Sequence, residues 1–304
     1  MKVVYGHTDS IYVKCESVEK GQEAVELLNK KVQEIFPNVL GLDEHPVQLE
    51  FEKYFKSLGV GVTKNRNAGL ITWKDGEYLT DDEFSMTGFT AKRQTITKLG
   101  RETQTTVLDM WVKEFTEEEI TDYLHTLYYR VLNGEIPIGD VLTRTRFKES
   151  RFKVSCTNCR KNGWKSAFTL HELMERKEKG RECCDRPDYV TSEGKRPVIG
   201  SNIEGVLYHD SISENPISDS YLYLKISQDV PASYIHPFSG KSTRPSYFSF
   251  LTEKDLEDSP HTPDWRHYAE SVLKKAAPIY SAMEWDLMAI KQDRNQTGLE
   301  DWLV

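Results

Sequence analysis

The chain has 304 residues, 38% hydrophobic and 29% charged, with 18 Gly and 12 Pro, the balance of a folded chain of about two domains rather than a disordered tail. No apolar run approaches the about 18 residues of a membrane span, and MKVVYGHTDS lacks the apolar stretch of a secretory signal, so the expectation is a cytoplasmic protein with no membrane partner. A formal net charge of −8, taken whole, argues against nucleic acid as the partner.

The opening stretch from Val3 to Cys15 reads as two short apolar runs around the polar turn Gly6-His7-Thr8-Asp9-Ser10, a β-hairpin with its tip exposed. Val25, Leu28, Val32 and Ile35 recur at helical spacing until Phe36-Pro37 stops them, which predicts one amphipathic helix. From Val47 to about Thr80 strand signals return in VQLEFEKYF, SLGVGVT and AGLITW, with Asp75-Gly76 as a turn. The first third is thus predicted to be an antiparallel layer backed by a helix.

From Arg101 to Leu132 the spacing of Val107, Met110 and Trp111, then of Ile120, Leu124, Leu127 and Val131, predicts two consecutive helices. Thr116 and Glu119 fit a capping box at the second start, and Asn133-Gly134 a stop. Further on the charge segregates. Arg144 to Arg196 hold 15 Lys and Arg against 8 Asp and Glu, whereas residues 201–304 hold 9 against 16. The total therefore conceals a basic segment. The last helix is the clearest, from Trp265 through Val272 and Ile279 to Met283, with Thr262 as N-cap, Pro263 at its first position, and Pro278 expected to kink or break it.

Five cysteines in a chain expected in the cytosol do not make a disulfide scaffold. Cys15 stands alone. Cys156-x-x-Cys159, a gap of 23 residues and Cys183-Cys184 supply four thiolates, enough for a structural tetrahedral zinc site, with His171 an alternative to one of the adjacent pair and reduced thiols the plainer reading. The run Arg144, Arg146, Lys148, Arg151, Lys153, Arg160 and Lys161, interleaved with Phe147, Phe152 and Trp164, suits nucleic-acid backbone contact or a solvated charged face.

Asp9 on a hairpin tip can hold Mg²⁺ through hard oxygen ligands, or it can be a turn former. Tyr5-Gly6-His7-Thr8-Asp9-Ser10 resembles motif C of the family B (α-like) DNA polymerases, usually Tyr-Gly-Asp-Thr-Asp-Ser on a palm hairpin, at five of six positions. The likeness continues in order. Leu49-Glu50-Phe51-Glu52 is similar to the family's Leu-Glu-Tyr-Glu strand, and Thr63-Lys64-Asn65-Arg66-Asn67-Ala68 to its Lys-Lys-Arg-Tyr-Ala segment at the primer-template minor groove. Lys92-Arg93 and Glu102-Thr103-Gln104 resemble the basic element and helix leading into the thumb. Trp265 to Tyr280 resembles the late thumb helix, and Gln296-Thr297-Gly298-Leu299 with Trp302-Leu303 the family's C-terminal ending.

The resemblance implies DNA-directed DNA polymerase activity in replication, with primer-template DNA and dNTP as partners. Asp9 would be the principal Mg²⁺ ligand, and Glu50 or Glu52 a supporting carboxylate; an exposed charged strand face is the plainer reading of these two. Lys64, Asn65, Arg66, Asn67, Lys92 and Arg93 would hold the primer-template. His7 replaces the family's first aspartate, and Asn65 and Asn67 replace a charge and a ring. The Asp-x-x-Ser-Leu-Tyr-Pro and Lys-x-x-x-Asn-Ser-x-Tyr-Gly motifs are not found, nor are the exonuclease motifs.

The expectation is an α+β C-terminal part: a partial antiparallel palm sheet with a packed helix at residues 1–92, then a mainly helical thumb at 93–304 with a Cys-rich basic insertion at about 150–200. It would be the small subunit of a split archaeal or viral enzyme, inactive until an N-terminal half completes its site. A catalytically degenerate DNA-binding subunit and a fragment of an uninterrupted polymerase are the alternatives.

Overall fold

Asp75 and Gly76 both take positive φ, 52° and 97°, the pairing that a tight two-residue hairpin demands. They join β4 (Asn67–Lys74) to β5 (Glu77–Thr87), and β3 (Lys53–Val60) pairs on the other edge of β4, giving the antiparallel order β3-β4-β5. The computed structural model describes residues 2–6, 10–61, 66–89 and 96–292. The first hairpin is β1 (Lys2–Gly6) against β2 (Ile11–Lys14), with Gly6 opposite Ile11.

Between these sheets lies α1 (Val18–Ile35), which starts a full two turns before the Val25 repeat. Ser17 Oγ accepts the Lys20 amide at 3.3 Å, so a polar N-cap sets the start. The strand expected from Val47 begins only at Lys53. In its place the Asn29 side chain of α1 holds both backbone groups of Leu49, its Nδ2 donating to the carbonyl at 2.8 Å and its Oδ1 accepting the amide at 2.7 Å. Phe51 then packs on Trp73 at 4.9 Å and against Gly21, where a Cβ would stand 2.4 Å from its ring.

Helices α2 (Lys98–Val112) and α3 (Glu117–Leu132) follow, with Val107, Ile120, Leu124 and Val131 buried as the spacing predicts. The Thr116 amide donates to Glu119 at 2.8 Å and the Glu119 amide to Thr116 Oγ1 at 3.3 Å, completing the expected capping box. Gly134, at φ 72°, ends the helix as predicted.

The rest of the chain mixes helices with small sheets. In order come β6 (Thr143–Arg146), β7 (Lys153–Cys156), α4 (Thr157–Lys161), β8 (Ala167–Thr169), α5 (Leu170–Glu178), β9 (Tyr189–Val190), α6 (Ser201–Ile212) and β10 (Ser220–Lys225). Then follow β11 (Tyr234–Ile235), β12 (Ser242–Thr243), β13 (Tyr247–Phe250), α7 (Glu253–Glu257) and α8 (Trp265–Met283). Sheet orders are β13-β10-β6 and β8-β7-β9, with β11 and β12 a separate pair, all antiparallel. The residues expected to form a mainly helical thumb thus also carry these sheets.

Two expectations about α8 change. Asp264, not Thr262, caps it, accepting the His267 amide at 2.9 Å. Thr262 and Pro263 are instead drawn to the end of β10, where the Thr262 carbonyl accepts the Ser227 amide and Pro263 bridges Ile226. Pro278 does not break the helix, which runs to Met283. Burial of Tyr268, Ala269, Val272, Leu273, Ala276, Ile279 and Tyr280 outweighs the roughly 3 kcal/mol that an internal proline costs.

The chain divides into two compact units, Met1–Lys92 with Thr105–Ile120, and Arg93–Gln104 with Thr121–Val304. No described helix is long and apolar enough to cross a membrane.

Candidate nucleic-acid interface and metal-capable cluster

His7, Thr8 and Asp9, together with Lys64, Asn65, Lys92, Arg93 and the C-terminal Gln296 to Leu303 pattern, lie outside the described residues. Their framework is described. Gly6 pairs with Ile11, the rings of Tyr5 and Tyr12 lie 5.5 Å apart and tilted by 56°, and Phe55 of β3 is 6.1 Å from Tyr12.

Of the two glutamates, Glu50 is exposed and Glu52 bonds Lys53 Nζ at 2.7 Å. They sit before β3 and not within a strand. The turn of Phe51 toward Trp73 leaves both on the open side. Among the described residues, neither belongs to a group of three or more metal-capable side chains.

Arg66 is half-buried, its carbonyl accepting the Gly61 amide at 2.7 Å, and Asn67 opens β4 with 7% exposure, opposite Val60 and Thr87. Asn67 is therefore a sheet residue here, not part of an open loop. The basic run is exposed throughout: Arg144 and Arg146 share one face of β6, and Arg160, Lys161 and Lys165 surround an exposed Trp164. Phe152 is buried under Phe147, whose ring stacks on it at 4.6 Å.

The cysteines come together. The Sγ atoms of Cys156, Cys159, Cys183 and Cys184 all lie within 4.8 Å of one another. Cys156 ends β7, Cys159 lies one short helical turn on, and both are buried; Cys183 and Cys184 are half-buried and come from a segment without regular structure. Burial pushes the Cys156 thiol up, but hydrogen bonds from the backbone at Cys159 and Asp188 outweigh it and bring it down to about 7. Burial, with the bond to Cys183 Sγ at 3.3 Å, pushes the Tyr189 phenol up.

His171 is not part of this set. Its Nε2 bonds Asp210 at 2.9 Å, and its ring stacks over Phe152. Asp210, on α6, also bonds His209 Nδ1 and accepts the Ile217 amide, both at 2.9 Å. Burial pushes this carboxyl up, but those bonds outweigh it and hold it below the ordinary carboxylate range. Nothing in the sequence flagged Asp210, Asn29 or Tyr189, because each acts on a partner at least several residues away in sequence.

The sequence model of DNA polymerase family B matches residues 1–234. The chain belongs to DNA polymerase family B. Among curated relatives, the DNA polymerase of Archaeoglobus fulgidus is 28% identical over 141 residues, 46% of this chain and 16% of that protein. The Epstein-Barr virus DNA polymerase catalytic subunit is 28% identical over 220 residues, 66% of this chain and 20% of that protein. That of human herpesvirus 8 is 32% identical over 113 residues, covering 37% and 10%. The chain thus spans a fifth or less of each of these relatives. A solved family B DNA polymerase from Pyrobaculum calidifontis superposes with a TM-score of 0.45 at 17% identity, over 91% of this chain and 26% of that one.

Proposed function

We propose that this chain is the C-terminal part of a DNA-directed DNA polymerase. Residues 1–92 supply part of the palm and residues 93–304 a thumb with a Cys-rich insertion, and a separately encoded N-terminal half completes the active site. The observation that carries the reading is the motif-C hexapeptide, which begins on β1 and ends one residue before β2, within a family match that runs through residue 234.

The chemistry explains why a partner is needed. Two-metal nucleotidyl transfer requires carboxylates from separate strands to bridge both ions. Asp9 offers hard oxygens suited to Mg²⁺, whereas Glu52 is already tied to Lys53 and the imidazole of His7 suits Mg²⁺ poorly. When bound, the metal would activate the primer 3′-hydroxyl and neutralise the dNTP phosphates. Asp9 holds it, Lys64, Arg66, Lys92 and Arg93 grip primer-template phosphates, and the exposed basic run extends that grip along the thumb.

Apolar exposure supports the same reading. Val3, Ile11, Leu27 and Ile35 are exposed by 59%, 52%, 57% and 67%, on the hairpin and on α1. An N-terminal half seated against the hairpin and α1 would cover these side chains.

The test is primer extension by the chain mixed with an N-terminal half. Asp9→Ala is expected to lower the rate by about two to three orders of magnitude, the scale of losing one preorganised charge-stabilising group. An unchanged rate sinks the assignment. His7, Asn65 and Asn67 favour a second reading, a DNA-binding subunit without catalysis. His7→Asp separates the two: it raises the rate in a working site and leaves an inert one inert.

A further inference from the structure

The four cysteines have no part in the polymerase reading, and their arrangement needs its own cause. Cysteine is a small hydrophobe and is often simply buried. That explains Cys156 and Cys159, but Cys183 and Cys184 are half-exposed and still turn both thiols toward the first pair. Cys156 Sγ lies 3.8 Å from Cys184 Sγ, and Cys183 Sγ lies 3.9 Å from Cys184 Sγ. Those distances are far beyond the about 2.05 Å of a disulfide. They match the about 3.8 Å that separates sulfurs around one tetrahedral ion with metal–sulfur bonds of about 2.3 Å.

We propose that Cys156, Cys159, Cys183 and Cys184 bind one structural Zn²⁺ as a closed four-thiolate site. The span of 4.8 Å leaves room for a single ion, not for an iron–sulfur cluster of several metals and bridging sulfides. Four soft ligands and no open position select zinc and give it no catalytic water. His171 is not among the ligand atoms that gather within 4.8 Å, which are the four thiols alone.

The surrounding bonds are those of a built site. The Cys156 amide donates to the Ser166 carbonyl at 2.7 Å, and the Trp164 amide to the Cys159 carbonyl at 3.0 Å, closing the turn around the first pair. The Thr157 amide donates to the Asp188 carbonyl at 2.8 Å, and Asn158 Nδ2 to the Arg186 carbonyl at 2.5 Å. Tyr189 OH meets Cys183 Sγ at 3.3 Å. Such outer contacts orient ligands before the ion arrives.

The consequence is mechanical. The ion pins the irregular segment 181–188 to the end of β7, and with it the turn that carries Arg160, Lys161, Trp164 and Lys165. Without it, only short backbone and side-chain bonds hold that segment.

The full chain, purified reduced and without added chelator, should carry one zinc per molecule by elemental analysis. Cobalt substitution should give the intense sulfur-to-cobalt charge-transfer and ligand-field bands of a tetrahedral tetrathiolate. Cys183→Ser and Cys184→Ser should each lower zinc affinity by at least about tenfold, whereas Cys15→Ser and His171→Ala should retain the metal. Chelation should speed tryptic cleavage after Arg181. Should a Cys variant fail to fold, the cobalt spectrum of the unmodified chain still decides. Iron in place of zinc, a cobalt spectrum without thiolate bands, no bound metal in the reduced chain, or loss of metal in His171→Ala overturns the proposal.

Discussion

Tyr221, Phe250 and Leu224 sit at about 1% exposure or less in the larger unit, among helices and sheets that cover them on every side. In the smaller unit most of β4 is buried, yet the hairpin, α1 and its C-cap leave Val3, Ile11, Leu27, Leu28, Ile35 and Phe36 open to solvent. Both regions follow the same folding rules, and the difference lies in what covers them. The larger unit closes a core of its own, although Val198 and Ile212 on its surface are exposed too, and the proposed reading takes the open side chains of the smaller unit as the place where an N-terminal half would sit.

Substitutions can break that contrast. Leu124→Ala, in the closed core, should cost roughly 2–5 kcal/mol in urea unfolding of the larger unit. A cost below about 1 kcal/mol would mean that this core is looser than its burial implies.

Asp210→Asn, which weakens the bonds to His171, His209 and Ile217, should cost roughly 1.5–3 kcal/mol at neutral pH. The Asp210 carboxyl is held below its unfolded value, so its stabilisation is present in full above the ordinary carboxylate range and drains away as pH falls through the lower folded value. The unmodified chain should therefore lose stability more steeply on acidification than the Asn variant. Parallel acid limbs would contradict the assignment.

In the smaller unit, Gly21→Ala puts a methyl 2.4 Å from the Phe51 ring and should cost roughly 1–3 kcal/mol, read by loss of near-ultraviolet signal from the Phe51–Trp73 pair. Leu27→Ser should stay within about 0.5 kcal/mol in the chain alone, because the side chain is already in water. The same change should weaken association with an N-terminal half.

Much of this was legible in the residues, for local reasons. The β1–β2 pairing, the Asp75-Gly76 turn, the Thr116–Glu119 capping box and the Gly134 stop each depend on groups close to one another in sequence. What the sequence pattern missed depends on distant partners. Leu49 gives up its strand to Asn29, Thr262 gives up its cap to pair near β10, and Pro278 stays helical because its neighbours are buried. The Cys156-x-x-Cys159 turn could be read directly, but the choice of Cys183 and Cys184 over His171 required knowing which side chains the fold brings within 4.8 Å of that turn. Of the site residues inferred from the family resemblance, Glu50, Glu52, Arg66 and Asn67 fall on described backbone, and Asn67 proves to be a buried strand residue.

The most direct measurement is primer extension as an N-terminal family B half, carrying the missing palm carboxylate, is titrated into a fixed amount of this chain. The account predicts no synthesis by either part alone, and a rate that rises to a plateau at one half per chain. Full activity from this chain alone, or from the N-terminal half alone with no gain on adding this chain, would contradict it.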